Sequence, residues 1–281
     1  MELVNKVAVI TGGSGGIGAA MAKAFLAEGA RGVMLADLDA DGVTAIASDI
    51  GCEGMVCDVT NEAQIKKLVA AAESKYGHID LFCSNAGKGH DGVLTDVEDD
   101  DWNTQWNLHV MAHIYAARAV LPGMIKRGEG YLLNTASAAG LLAALSAGAY
   151  SVTKAASVKL AEFLAITHGD EGIHVSVLCP QAVRTDILTN SPDNHEGDNP
   201  EWEEGGVASS DGIIEPESVA EICMEAINEE RFLILPHQQV QGYIEFKAQN
   251  PDKWLAGMRT FQNRLFIDEP LPGDAMRDFT G

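Results

Sequence analysis

Short aliphatic runs alternate with longer helical patterns along most of this chain, and that alternation is what most restricts its fold. The runs are Val7 to Ile10, Gly32 to Ala36, Gly54 to Cys57, Leu81 to Ser84, Tyr131 to Thr135, His174 to Cys179 and Arg231 to Leu235. They are mostly apolar rather than alternating in polarity, as expected of parallel strands covered on both faces. Helical patterns lie between them, among them Ile17 to Glu28, Glu62 to Tyr76, Trp102 to Lys126, Tyr150 to Gly169 and Pro216 to Glu229. Repeated strand-helix units with right-handed crossovers predict an α/β fold, a doubly wound parallel sheet of about seven strands. A single domain over residues 1–236 is expected, followed by a tail over 237–281 that packs on the core or on a neighbouring subunit.

Between Thr185 and Ile214 the composition changes to Asp, Asn, Glu, Gly and Ser, which predicts a long loop or lid. A net charge of -22 argues against a nucleic-acid partner, because phosphate backbones are held by clustered Lys and Arg. The stretch from Glu129 to Lys154 has no charge between its ends, yet it is rich in Asn, Thr, Ser and Gly, so no membrane span is expected there. The start of the chain runs directly into a strand without an apolar signal core, and a cytoplasmic setting is expected. The five cysteines form no CxxC pair and read as reduced thiols. His109 and His113 lie four apart, as metal ligands can, but no third ligand is placed, so no metal site is expected.

The first strand leads into Thr11-Gly-Gly-Ser-Gly-Gly-Ile-Gly18 and then at once into a helix. Such a turn brings backbone N–H groups close to a pyrophosphate at a helix N-terminus, with Gly12, Ser14, Gly16, Ile17 and Gly18 as the contacts. Asp37 closes the second strand about twenty residues beyond. Its carboxylate suits ribose hydroxyls and repels a 2'-phosphate, and neither the turn nor Leu38 offers a compensating cation, so NAD is the expected cofactor.

Further motifs follow in order: Asp58-Val59, Asn85-Ala86-Gly87, Asn107 within a helix, Ser137, and Tyr150-Ser-Val-Thr-Lys154. A tyrosine with lysine four residues on shares one helical face with it, and the ammonium favours the phenolate that alcohol oxidation requires. Ser137 is placed to donate a hydrogen bond to a substrate oxygen gaining negative charge. A second Tyr-x-x-x-Lys, Tyr243 to Lys247, has no such serine upstream and reads as an ordinary tail helix.

Together these motifs resemble the short-chain dehydrogenase/reductase family over roughly residues 5 to 236. The resemblance implies an NAD-dependent oxidoreductase interconverting a secondary alcohol and a ketone, with Asn107, Ser137, Tyr150 and Lys154 as catalytic tetrad. It implies that Asp58 and Val59 flank the adenine and that Asn85, Ala86 and Gly87 border the cofactor. It also implies that Tyr150 and Lys154 reach the cofactor, that Lys154 holds the nicotinamide ribose, and that Asn107 supports a water linking the lysine to solvent. Pro180, Val183 and Thr185 are expected at the carboxamide and phosphates, and a homodimer or homotetramer is expected on the Trp102 and Tyr150 helices. The usual Pro-Gly after the sixth strand is here Pro180-Gln181, which adds bulk beside the nicotinamide. The glycine turn also reads as Gly12-x-x-Gly15-x-x-Gly18, the spacing of two-domain epimerases and dehydratases, and a catalytically idle nucleotide sensor is the other alternative. The acidic lid disfavours anions, so an uncharged or cationic secondary alcohol or ketone with apolar bulk is the expected substrate.

Overall fold

The computed structural model describes residues 1–89, 92, 94–95, 97–145, 147–185, 187 and 211–265. Seven parallel strands form one sheet in the order β3-β2-β1-β4-β5-β6-β7. They are β1 (Val7–Thr11), β2 (Gly32–Asp37), β3 (Glu53–Val56), β4 (Leu81–Ser84), β5 (Gly130–Thr135), β6 (Ile173–Leu178) and β7 (Leu233–Ile234). The expected doubly wound sheet is thus present. Five strands are apolar and buried throughout or nearly so, because helices cover both faces. The edge strand β3 departs from that expectation: its burial alternates, with Glu53 and Met55 half-buried and Gly54 and Val56 exposed. The other edge, β7, is only two residues long, shorter than the Arg231 to Leu235 run predicts.

On one face lie α3 (Glu62–Tyr76), α5 (Ala112–Arg127) and α7 (Gly148–His168), which bury Leu68, Val120, Ala161 and Leu164 against Val9, Phe82 and Leu132. On the other lie α1 (Gly16–Ala27), α2 (Ala40–Ile50) and α8 (Pro216–Asn228), burying Phe25, Val43 and Ile227 against Ile10, Leu35 and Leu133. Helix α4 (Asp99–Trp106) runs into α5 through a π-helical turn, Asn107–Met111. By length and composition the Asp99–Arg127 stretch would suffice to cross a membrane. Here it packs on α3, α7 and the sheet.

Strand order reverses between β1 and β4, so the carboxyl ends of these strands and of β5 open a crevice where open α/β sheets bind their ligands. Helix α6 (Ala139–Leu142) follows β5 at this end. The tail supplies α9 (Gln239–Gln249) and α10 (Pro251–Leu265). Val240, Tyr243 and Ile244 of α9, with Trp254 of α10, pack on Ala138, Leu141 and Leu142. Most of the acidic lid, residues 186 and 188–210, and the tail beyond 265 lie outside the described residues.

Candidate active site

The glycine turn is held by contacts that crowd the Cβ position at Gly12, Gly13, Gly16 and Gly18. Gly12 takes φ 71°, and a Cβ there would meet the Ala86 Cα at 2.9 Å. A Cβ on Gly18 would stand 2.1 Å from the Gly12 carbonyl oxygen. Gly15 differs, with nothing within 4 Å of where its Cβ would sit, at the mouth of α1. Thr185 comes across from the β6 side, its Cγ2 2.9 Å from the Cβ position of Gly16, and its hydroxyl donates to the Val183 carbonyl at 3.2 Å. Val183 and Pro180 are buried beside it.

Asp37 is fixed by its own neighbours: Ser14 N–H donates to Oδ2 at 3.0 Å and Asp39 N–H to Oδ1 at 3.1 Å. Each oxygen keeps a further lone pair for a ligand hydroxyl. Asp58 accepts from Thr60 N–H and Oγ1 at 2.9 and 2.7 Å. Asn85 joins three strand ends, donating from Nδ2 to the Thr11 carbonyl at 3.1 Å and accepting at Oδ1 from Thr135 at 3.0 Å. Thr11 Oγ1 accepts from Asn85 and Ala86 N–H at 3.0 and 3.1 Å, a role no motif disclosed. An open mouth at a helix N-terminus, a fixed carboxylate at the end of β2 and a close-packed Asn85-Ala86-Gly87 strip form a cradle suited to a dinucleotide.

Helix α7 carries Tyr150 and Lys154 toward the end of β5. Lys154 is 3% exposed; its Nζ donates to the Thr135 carbonyl at 3.1 Å and lies 5.5 Å from the Tyr150 ring centroid. Burial pulls its pKa down to about 8, so the ammonium still prevails at neutral pH. Ser137 is buried after β5, its Oγ accepting from Ala139 N–H at 3.2 Å and reaching the Pro180 carbonyl at 3.4 Å.

Asn107 is not brought to this group. It is exposed on the π-helical turn, and the residue that faces Tyr150 from that turn is His109. The ring of His109 stands edge-on to Tyr150, with centroids 5.4 Å apart at 85°. The i→i+5 winding of the turn sets which side chain points inward, and no residue pattern predicts it. The second tyrosine-lysine pair disperses, Tyr243 donating to Asp211 at 3.0 Å and Lys247 to the Leu141 carbonyl. Arg184 is paired with Glu215 at 2.8 Å.

His109 and His113 are both buried, and desolvation followed by the Lys154 charge lowers their pKa values, that of His113 to about 3. Free imidazoles gain a proton below about pH 6.5, whereas these two stay neutral in the folded chain. Their contribution to stability is therefore complete above pH 6.5 and is lost as pH falls below it, by up to about 1.4 kcal/mol per pH unit for each. Chemical denaturation at about pH 7.5 and about pH 5.5 should show the loss, and His113→Leu should reduce it. An unchanged pH dependence in the variant would remove His113 from this account.

The family model of the short chain dehydrogenases matches residues 6–196. The chain belongs to the short-chain dehydrogenase/reductase family and is an oxidoreductase. It is 32% identical over 195 residues to a meso-2,3-butanediol dehydrogenase of Serratia marcescens, covering 68% of this chain and 77% of that one. It is 29% identical to a 1-deoxy-11-beta-hydroxypentalenate dehydrogenase of Streptomyces exfoliatus, over 90% of each chain. A short chain dehydrogenase/reductase of Burkholderia phymatum, solved in complex with NAD, superimposes with a TM-score of 0.79 at 31% identity, over 90% of this chain and 96% of that one.

Proposed function

We propose that this protein is an NAD-dependent dehydrogenase/reductase of secondary alcohols and ketones, with Tyr150 as general acid and base. The observation that carries the reading is Lys154: a buried ammonium set 5.5 Å from the Tyr150 ring centroid and fixed to the end of β5. NAD, when bound, supplies the hydride acceptor. Gly12, Ser14, Gly16, Ile17 and Gly18 would hold its pyrophosphate and Asp37 its adenosine ribose. Asp58, Val59, Asn85, Ala86 and Gly87 would line the adenine and ribose side, and Pro180, Val183 and Thr185 the nicotinamide side.

In oxidation the Tyr150 phenolate takes the substrate hydroxyl proton, and in reduction the phenol returns a proton to the carbonyl oxygen. Lys154 favours the phenolate by charge, and Ser137 Oγ donates to the same substrate oxygen as negative charge builds on it. The substrate proposed is uncharged or cationic with apolar bulk. The acidic charge of the chain disfavours anions, and the one nearby cation of the lid root, Arg184, is engaged by Glu215. A homodimer or homotetramer is proposed on α4, α5 and α7, which leave Trp106, Val152, Phe163 and Ile166 exposed.

Following NADH absorbance across a panel of secondary alcohols and ketones tests the reaction class, and silence on the whole panel would defeat it. Cofactor choice is a sharper measurement. Asp37 should impose at least roughly a tenfold preference for NAD over NADP in kcat/KM, the scale of one unfavourable charge contact. Asp37→Ser should narrow that ratio. Equal use of both cofactors by the wild-type protein would strip Asp37 of its role.

A further inference from the structure

The tail reaches toward Ser137 through one residue that the proposed reaction does not use. His237 lies between β7 and α9 and is 3% exposed. The helix that follows it is anchored beside the serine: Val240, Tyr243 and Ile244 pack on Ala138, Leu141 and Leu142, and Lys247 donates to the Leu141 carbonyl.

Two backbone partners define the tautomer of His237. The Gln181 amide, which can only donate, lies 3.2 Å from Nδ1, and the Gly212 carbonyl, which can only accept, lies 3.2 Å from Nε2. The ring is therefore bare at Nδ1 and protonated at Nε2. Burial opposes a second proton more strongly than the Gly212 and Ala182 carbonyls and the Asp211 carboxylate favour one, so the imidazole is neutral near pH 7.

The Gln181 amide belongs to the same peptide unit as the Pro180 carbonyl. That carbonyl accepts from Ala138 N–H at 2.9 Å and lies 3.4 Å from Ser137 Oγ. A peptide unit is planar, so a partner that fixes the direction of its N–H fixes its carbonyl as well. An N–H engaged in this way also polarises the carbonyl as an acceptor. One line of hydrogen bonds thus runs from the Gly212 carbonyl through the imidazole and the Pro180–Gln181 peptide to Ser137. Its serine end is slack. At 3.4 Å the hydroxyl stands beyond the ordinary O–H···O range, while Ala139 N–H holds the serine oxygen at 3.2 Å. The oxygen is placed, and its proton is free to turn to a substrate oxygen.

We propose that His237 is a positioning residue for Ser137: its Nδ1 holds the Pro180–Gln181 peptide so that the serine hydroxyl is aimed yet only loosely retained. The proposal rests on the donor role given above to Ser137. The Nε2 end of the ring makes a separate tie to residues 211–214, where Tyr243 also donates to Asp211 at 3.0 Å. That second tie does not touch the Pro180–Gln181 peptide, so the two ends of the ring can be tested apart.

Three variants divide the imidazole. His237→Phe keeps a ring and deletes both nitrogens, His237→Asn returns an acceptor near the Nδ1 position, and His237→Gln returns a donor near the Nε2 position. The Phe variant should lower kcat roughly tenfold, a part of the roughly 10²- to 10³-fold that removal of an oxyanion donor commonly costs. Asn should recover most of that rate and Gln little. NADH affinity, read by fluorescence, should change little in all three, because the glycine turn and Asp37 are untouched. In a Ser137→Ala background the Phe change should cost less than about threefold more, since the group that His237 positions is gone. In ¹⁵N-histidine spectra of the wild-type protein, His237 should show the Nε2–H tautomer at neutral pH. A Phe variant with wild-type kcat would overturn the proposal, as would equal rescue by Gln, or an undiminished loss in the Ser137→Ala background. So would an Nδ1–H tautomer in the wild-type protein, a readout that holds even if the Phe variant does not fold. A wild-type protein inactive on every substrate, with the expected tautomer, would strike the proposed function itself and this role with it.

Discussion

Tyr150→Phe should lower turnover by roughly 10²- to 10⁴-fold, the usual contribution of a positioned proton-transfer group, and leave NADH binding nearly unchanged. The separation follows from the geometry. The phenol oxygen is the only atom removed, while the ring keeps its contacts with His109 and with the Lys154 ammonium. Lys154→Ala should behave differently. It deletes a buried charge that anchors α7 to the end of β5 through the Thr135 carbonyl, so both turnover and cofactor binding should fall. Tyr243→Phe is the internal control: it loses one bond from the tail to Asp211 of the lid segment and should be close to neutral for catalysis. Steady-state kinetics with fluorescence titration of NADH decides the matter. A Phe variant retaining more than about a tenth of the wild-type rate would send the search for the general base elsewhere.

Much of this arrangement was legible in residue order because each local signal agreed with the global fold. The strand-turn-helix around Gly12 to Gly18, the strand-end Asp37 and the four-residue spacing of Tyr150 and Lys154 are local patterns, and local patterns survive folding. Helix α2 carries such signals as well, with Asp39 capping the Gly42 amide and Gly51 in the left-handed conformation at its end. What was not legible depends on neighbours remote in the chain. The alternating exposure of β3 follows from its place at the sheet edge. That His109 rather than Asn107 faces Tyr150 goes with a π turn braced by Thr153 and Ser157, more than forty residues away. Thr11 and Thr135 matter because β1, β4 and β5 end side by side, which no spacing in the sequence reports.

Two glycines of one turn should respond to the same substitution in opposite ways. Gly18→Ala should destabilise the fold and abolish cofactor binding together, because its Cβ would stand 2.1 Å from the Gly12 carbonyl oxygen. That oxygen has little freedom to retreat, since Gly12 is itself wedged against the Ala86 Cα and the Asn85 side chain. Overpacking of this kind commonly costs about 1–3 kcal/mol, and a backbone atom relaxes less than a side chain. Gly15→Ala meets neither obstacle. Its φ of 179° is extended backbone open to any residue, and nothing lies within 4 Å of the new methyl group, so the melting temperature should stay close to that of the wild type. The empty space at Gly15 is also the mouth of α1, where backbone amides and the helix field favour an anion. If a pyrophosphate is held there, the methyl group intrudes on it and NADH affinity should fall by roughly tenfold or more, the cost of about one lost charge-assisted hydrogen bond. Thermal denaturation without cofactor and calorimetric titration with NADH, run on both variants, separate these effects. A Gly15→Ala protein that melted normally and bound NADH as tightly as the wild type would place the pyrophosphate away from this turn.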